Sequence, residues 1–157
     1  MTDWQTSIYG FLGTKAGNGW PIKNMMEQYT EPEKFVGFYA LSDKTETLNF
    51  GKRAYNIDDD AIDVSYAPMP LVELQIDVRG PGSFDKATEL FYGLKTWQDD
   101  LLAVGIHYRG VGQIVPIPNV QNGYVKSGYQ FSLFFAYDTT ITRQVDYIEE
   151  VTLNGNQ

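Results

Sequence analysis

Apolar and polar residues alternate most cleanly in Leu71–Arg79, where Val72, Leu74, Ile76 and Val78 are interleaved with Glu73, Gln75, Asp77 and Arg79. A period of two over such a run predicts a strand with one buried and one wet face. Gly80-Pro81-Gly82 interrupts it, because Pro lacks a backbone donor and Gly accepts positive φ. The period then changes. Phe84, Ala87, Leu90, Phe91, Leu94, Trp97 and Leu101 recur at three- and four-residue spacing, which predicts one long helix laying an apolar stripe on the sheet. Ser83 is placed to cap that helix and Gly105 to end it.

The rest of the chain is read against this unit. Thr2-x-x-Gln5 has the form of a capping box, and Trp4, Ile8, Phe11 and Leu12 share a face, so a short helix is expected to end near Gly13. Lys15–Glu33, with two glycines and two prolines, reads mostly as loop. Lys34–Leu41 is apolar at both phases of the alternation, which suits an inner strand. Ser42–Ile62 is a long polar excursion holding Asp58-Asp59-Asp60, with a hairpin expected around Leu48–Phe50 and Tyr55–Ile57. Val64–Ala67 can pair locally before Pro68 and Pro70 interrupt the ladder. Ile106–Arg109 should be a short strand. Gly110–Gly128 is a second excursion with a turn at Asn122-Gly123. Tyr129–Asp138 alternates strongly, with Tyr129, Phe131, Leu133, Phe135 and Tyr137 on one face, and Tyr147–Leu153 reads as a terminal edge or bulged strand. The result is an α+β fold: a mostly antiparallel sheet with one long and one short helix packed on one face, plus long extended loops or hairpins. Residues 1–157 are expected to form a single domain.

Composition narrows the function classes. The net charge of -8 argues against broad-surface binding of nucleic acid, which requires a cationic face to displace counterions. No run of about 18 apolar residues is present to span a membrane, and the N-terminal stretch lacks the features of a signal peptide. With no cysteine, neither a disulfide framework nor a thiolate site is available, which fits a reducing compartment. Eleven Tyr, nine Phe and three Trp suit either a β-rich core or partner surfaces, and both readings stay open.

Candidate chemistry is sparse. His107 is the single histidine, and by sequence it has neither a partner carboxylate nor a pocket, so a structural or surface role is expected. One histidine and no cysteine cannot build a zinc site. The aspartate run with Asp63 lacks the spacing of a calcium loop, which leaves a solvated acidic loop. Gly80-Pro81-Gly82-Ser83 sits where phosphate loops sit, but no Gly-Lys-Ser/Thr follows and Asp85 replaces the third glycine of a dinucleotide fingerprint. No catalytic, cofactor or metal residues are assigned. Gly93, inside a helix, suggests close approach of another backbone, from this chain or a second subunit.

These same residues resemble the neck or tail terminator proteins of tailed bacteriophages. The likeness runs from about Leu71 to Leu153: the strand Val72–Val78, the Gly80-Pro81-Gly82-Ser83 turn, the helix from Phe84-Asp85-Lys86-Ala87, Pro116-Ile117-Pro118-Asn119, the aromatic strand Tyr129–Tyr137 and Ile148–Leu153. The N-terminal half is similar only in element order. The resemblance implies a structural virion protein without enzymatic activity or cofactor, assembled in the host cytoplasm and located at the neck or head-proximal end of the tail. It implies a homo-oligomeric ring, usually a hexamer, that stops tail-tube polymerisation and meets tail tube protein and head-completion or neck proteins. DNA would pass through without specific binding. Isolated large side chains on the two excursions, Leu48, Phe50 and Tyr55 in one and Ile114, Ile117 and Tyr124 in the other, are the candidate subunit contacts. A ligand-binding module of ferredoxin-like shape, another head–tail completion protein, or a small enzyme using carboxylates and tyrosines stay open as alternatives.

Overall fold

A computed structural model describes residues 3–28, 31–44, 52–58, 61–67, 69–117, 119–121, 124–126, 128–138 and 141–146. The elements in order are α1 (Asp3–Ala16), β1 (Ile22–Asn24), β2 (Phe35–Lys44), β3 (Lys52–Asp58), β4 (Ala61–Ala67), β5 (Leu71–Arg79), α2 (Ser83–Thr96) and α3 (Gln98–Ala103). They continue as β6 (Ile106–Val111), β7 (Val115–Pro116), β8 (Asn119–Gln121), β9 (Tyr124–Lys126), β10 (Gly128–Tyr137) and β11 (Ile141–Asp146). The main sheet has the order β1-β2-β5-β10-β6, with β7 also on β10; β1–β2 is its parallel pair and the other pairs are antiparallel. This is the α+β arrangement that the alternation predicts.

The core lies between this sheet and the helices. Val72, Leu74, Ile76 and Val78 of β5 and Phe131, Leu133 and Phe135 of β10 are buried with Ile8 and Leu12 of α1 and Leu90 and Leu94 of α2. α2 packs on β5, β6 and β10, α1 on β1 and α2, and α3 on β6. α1 runs past the expected stop at Gly13 because Leu12 and Ala16 are both buried, and that burial outweighs the glycine penalty of about 1 kcal/mol per residue. The stretch expected as loop after it contains β1.

Three local expectations are corrected. The helix N-cap is Gly82, at φ 78°, which has no side chain to cap with, and Ser83 is the first helical residue. The tight turn, closed by the Ser83 N–H donating to the Gly80 carbonyl (3.1 Å), needs the left-handed residue just where a capping hydroxyl would stand. The long helix is broken at Trp97 into α2 and α3. There the Thr96 hydroxyl (2.9 Å) and the Trp97 N–H (2.8 Å) both donate to the Gly93 carbonyl, and such back-bonding by Thr bends helices. Gly93 is glycine for the sake of Trp97, since any Cβ there would collide with the indole ring one turn on. The close neighbour is therefore a ring of the same helix, not a second backbone. So placed, Trp97 meets Phe11 of α1 edge-on at 6.2 Å. Gly105, at φ 78°, ends the helical run as expected.

Both excursions are built from strands. β3, which contains the expected strand Tyr55–Ile57, forms an antiparallel hairpin with β4; its expected partner Leu48–Phe50 lies outside the described residues. β11 adds to β4, where only a connection was expected, and the expected strand Tyr147–Leu153 also lies outside the described residues. The order β3-β4-β11 repeats β2-β5-β10 of the main sheet. The register is carried over as well: Ala136 pairs Leu71 and, five residues further along both strands, Ile141 pairs Tyr66. Across the gap the Tyr137 N–H donates to the Pro70 carbonyl (3.3 Å). β4 and β11 thus continue the register of β5 and β10. Pro70, which cannot donate to a ladder, stands at the interruption. At the other end of β10, the pairs Tyr129–Pro116 and Gln130–Val115 lead through the bond from the Ile117 N–H to the Gly128 carbonyl (2.8 Å) into the β8–β9 hairpin, where Gln121 pairs Tyr124. One strand therefore carries an arm at each end.

Candidate functional site

The continuation β3-β4-β11, called here the arm, has two chemically distinct faces. By register, Arg53, Tyr66 and Ile141 form one row, Tyr55, Val64 and Arg143 the next, and Ile57, Ile62 and Val145 the third. The intervening rows, Ala54–Ser65–Thr142, Asn56–Asp63–Gln144 and Asp58–Ala61–Asp146, are small, polar or acidic. The aspartate run expected as a solvated loop spans the β3–β4 turn: Asp58 closes β3, and residues 59 and 60 lie outside the described set.

The candidate contacts fall in different places. Tyr55 is in β3 opposite Val64, and Tyr124 is in β9 opposite Gln121. Ile117 is half-buried beside Gly128, while Ile114 packs against the core of its own chain. The structure therefore brings Tyr55 to one end of β10 and Ile117 and Tyr124 to the other.

Several features were not legible in sequence. The exposed large apolar residues include Phe84 and Tyr92, at 56% and 60%, both on α2. Phe84 begins the predicted stripe yet stands at its rim, edge-on to Tyr129 at 5.2 Å. His107 does have a carboxylate partner, Asp138, with Nε2 2.8 Å from Oδ1, but that carboxylate is 66% exposed. A shallow hollow lined by Trp4, Ser7, Ile106, Tyr137 and Asp138 adjoins it. An exposed pair beside a shallow hollow is a surface contact rather than a general-base arrangement, which needs a pocket.

On the sheet face away from the helices, Asp77 is 2% exposed, although alternation assigns it to the wet side. Its register partner on β2 is Gly37, over which Met25 and the Phe35 ring lie, sheltering this row. Asp77 Oδ2 accepts from Arg79 Nη2 at 3.0 Å, while Asp77 Oδ1 and Arg79 Nη1 have no hydrogen-bond partner among the described residues. Burial pushes the Asp77 carboxyl above its usual range, against the opposing pull of Arg79. The Tyr39 hydroxyl is raised as well, by desolvation and then by the Asp77 charge.

The sequence profile of the phage neck terminator protein family matches residues 8–157. The chain belongs to this family. The match begins at Ile8, so it takes in the N-terminal half that had been similar only in element order, and it includes the whole arm. No curated protein matches the chain. As a neck terminator protein it is a structural component of the phage neck that works in contact with other head or tail proteins. Among the described residues no helix is long and apolar enough to cross a membrane.

Proposed function

We propose that this neck terminator protein forms a ring, hexameric in the simplest case, which ends the tail tube and offers its opposite surface to the head-completion proteins. All 157 residues act in this reading as one unit. The observation that carries it, beyond family membership, is the placement of an arm at each end of β10. A subunit that must hold its neighbours and also meet a second ring needs contact elements pointing away from its core. The β3-β4-β11 arm and the preceding segment with Leu48 and Phe50 serve one side; the β8–β9 hairpin with Ile117 and Tyr124 serves the other. Tyr55 belongs to the first set, and Ile114 steadies the second from within.

The net charge of -8 suits a ring through which DNA slides, because an acidic lumen repels phosphates and slows transit by no specific contact. The test is tube growth. Purified tail tube protein polymerised with this protein in excess should give tubes capped at one end by a ring visible in negative stain, with growth arrested. Tubes that lengthen at the same rate with and without the protein would overturn the proposal.

A further inference from the structure

Among the described residues, one end of the main sheet has no strand beyond it on either flank. β1 pairs β2 only from Val36 to Phe38, although β2 runs on to Lys44. On the opposite flank β7 pairs β10 at Tyr129 and Gln130, and further along β10 the terminal strand is β6. The registers put these two edges at one level. Ala40 lies across from Leu74, Leu74 from Leu133 and Leu133 from Val111. At the other limit the path runs from Lys44 through Leu71 and Ala136 to His107. The edge of β2 over residues 40–44 and the edge of β6 therefore bound the same stretch of sheet from opposite sides.

Their directions match as well. Each pairing along β2-β5-β10-β6 is antiparallel, so β2 and β6 run in opposite directions. A copy generated by rotation about an axis along the strands thus brings its β2 beside the β6 of its neighbour, antiparallel and with no shift along the axis. An odd number of alternating strands would have set them parallel.

The β2 edge has the chemistry of a place left for a strand. β1 and its flanks serve the preceding outward groups: the Val36 N–H donates to the Pro21 carbonyl (3.0 Å), and the Met25 N–H donates to the Phe38 carbonyl (2.8 Å). Two residues on, the Ala40 N–H finds only the Met26 sulfur, at 3.4 Å. A thioether is a weak acceptor, and a strand carbonyl is a better one. Met26 and Leu41 are 40% and 51% exposed, so this edge is also apolar. Leu41 is the extra residue of a bulge, because the register on β5 passes from Ala40 to Ser42. β6 has its own bulge one level away, where the exposed Arg109 is skipped between Tyr108 and Gly110. A charge on an edge strand guards it against pairing with its own kind, and Arg109 would meet a like charge if β6 paired with a second β6.

We infer that β6 of one copy adds to the edge of β2, over residues 40–44, in the next copy, so that one antiparallel sheet runs from subunit to subunit. The contact is strand addition, in which main-chain hydrogen bonds supply the affinity. The two edges are different surfaces of one chain, so the contact is head-to-tail, and its repetition closes a ring if the rotation allows. The inference rests on the ring reading and names the contact that builds it.

Because the chain contains no cysteine, the contact can be read by cross-linking the full chain. The double variant Leu41→Cys/Arg109→Cys, treated with a short bismaleimide, should give a ladder of linked oligomers, whereas either single variant should give none. Leu41→Lys alters an exposed residue and sets a like charge near Arg109 of the neighbour. It should keep the circular dichroism of the wild type and remain a single chain by light scattering. Hydrogen exchange on the wild type needs no variant: residues 40–44 and Ile106–Val111 should exchange more slowly in rings than in single chains. Rings that persist in Leu41→Lys, equal exchange of these segments in both states, or linked dimers from Arg109→Cys alone would overturn this contact and leave the ring reading standing. A wild type that stays a single chain at every concentration and on tail tubes would overturn both.

Discussion

In the helix-covered part of the sheet, Val72, Leu74 and Ile76 are fully buried under α1 and α2. In the arm, Ile62, Val64 and Tyr66 alternate in the same way along β4, in a three-stranded sheet of its own with the order β3-β4-β11. The two regions obey one rule of alternation and belong to different sheets. Period two shows which face of a strand requires an apolar neighbour, and it is silent on whether that neighbour belongs to the same chain. In a protein that works in an assembly, such a face can be satisfied by another copy.

The comparison is most sharply tested by cavities. Leu94→Ala, at a fully buried position on α2, should lower unfolding stability by about 2–5 kcal/mol in a denaturant titration. Gly93→Ala should cost about 1–3 kcal/mol, because pushing the Trp97 ring aside outweighs the gain in helix propensity. A stabilised Gly93→Ala would show that the ring is not held there. Gly82→Ala should cost about 1 kcal/mol, the price of a left-handed alanine, since the added Cβ meets nothing closer than Trp20 Cζ2 at 3.8 Å. On the other side of the comparison, if another copy covers the arm, Val64→Ala should change the stability of the single chain by no more than about 0.5 kcal/mol while weakening assembly. A loss as large as that of Leu94→Ala would place the arm in the core of its own chain.

The smallest effect concerns Asp77. Its folded-state pKa is raised, so its contribution to stability is fully present below the unfolded-state pKa and is lost as pH rises through the folded value. Asp77→Asn removes this term. The stability of the variant relative to wild type should therefore grow as pH is raised from about 4 towards neutrality. A difference that stays flat, or runs the other way, would show that the pairing with Arg79 outweighs burial.

The sequence made the two main strands, α2 and the stop at Gly105 legible, because their apolar positions are dense and their punctuation is strong. The break at Trp97 was hidden, since the stripe continues in phase to Leu101 on the far side of it. The turn chemistry misled in one place: Ser83 is a good capping residue, but the tight turn needs positive φ at Gly82 and takes the cap position itself. β11 escaped notice because Thr142, Arg143 and Gln144 are polar or charged and only Ile141 and Val145 mark its face. The candidate contacts were found as isolated apolar residues. The exposure of Phe84 was hidden as well, because it falls in phase with the buried Ala87, Leu90 and Leu94.

Two hairpin tips fixed to opposite ends of neighbouring strands have a mechanical meaning. The β3–β4 tip is joined through β4 to the start of β5, and the β8–β9 tip through β9 to the start of β10, and these two starts lie at opposite ends of the ladder from Gly128–Arg79 to Ala136–Leu71. Tension between the tips would load that ladder along the strands, in shear, so that its hydrogen bonds bear the force together instead of peeling apart singly. Forced rupture is governed by the unfolding barrier rather than by equilibrium stability. Pulling single molecules from residues 58 and 124 should therefore require more force than pulling from Arg79 and Gly128, which would open the same ladder from one end.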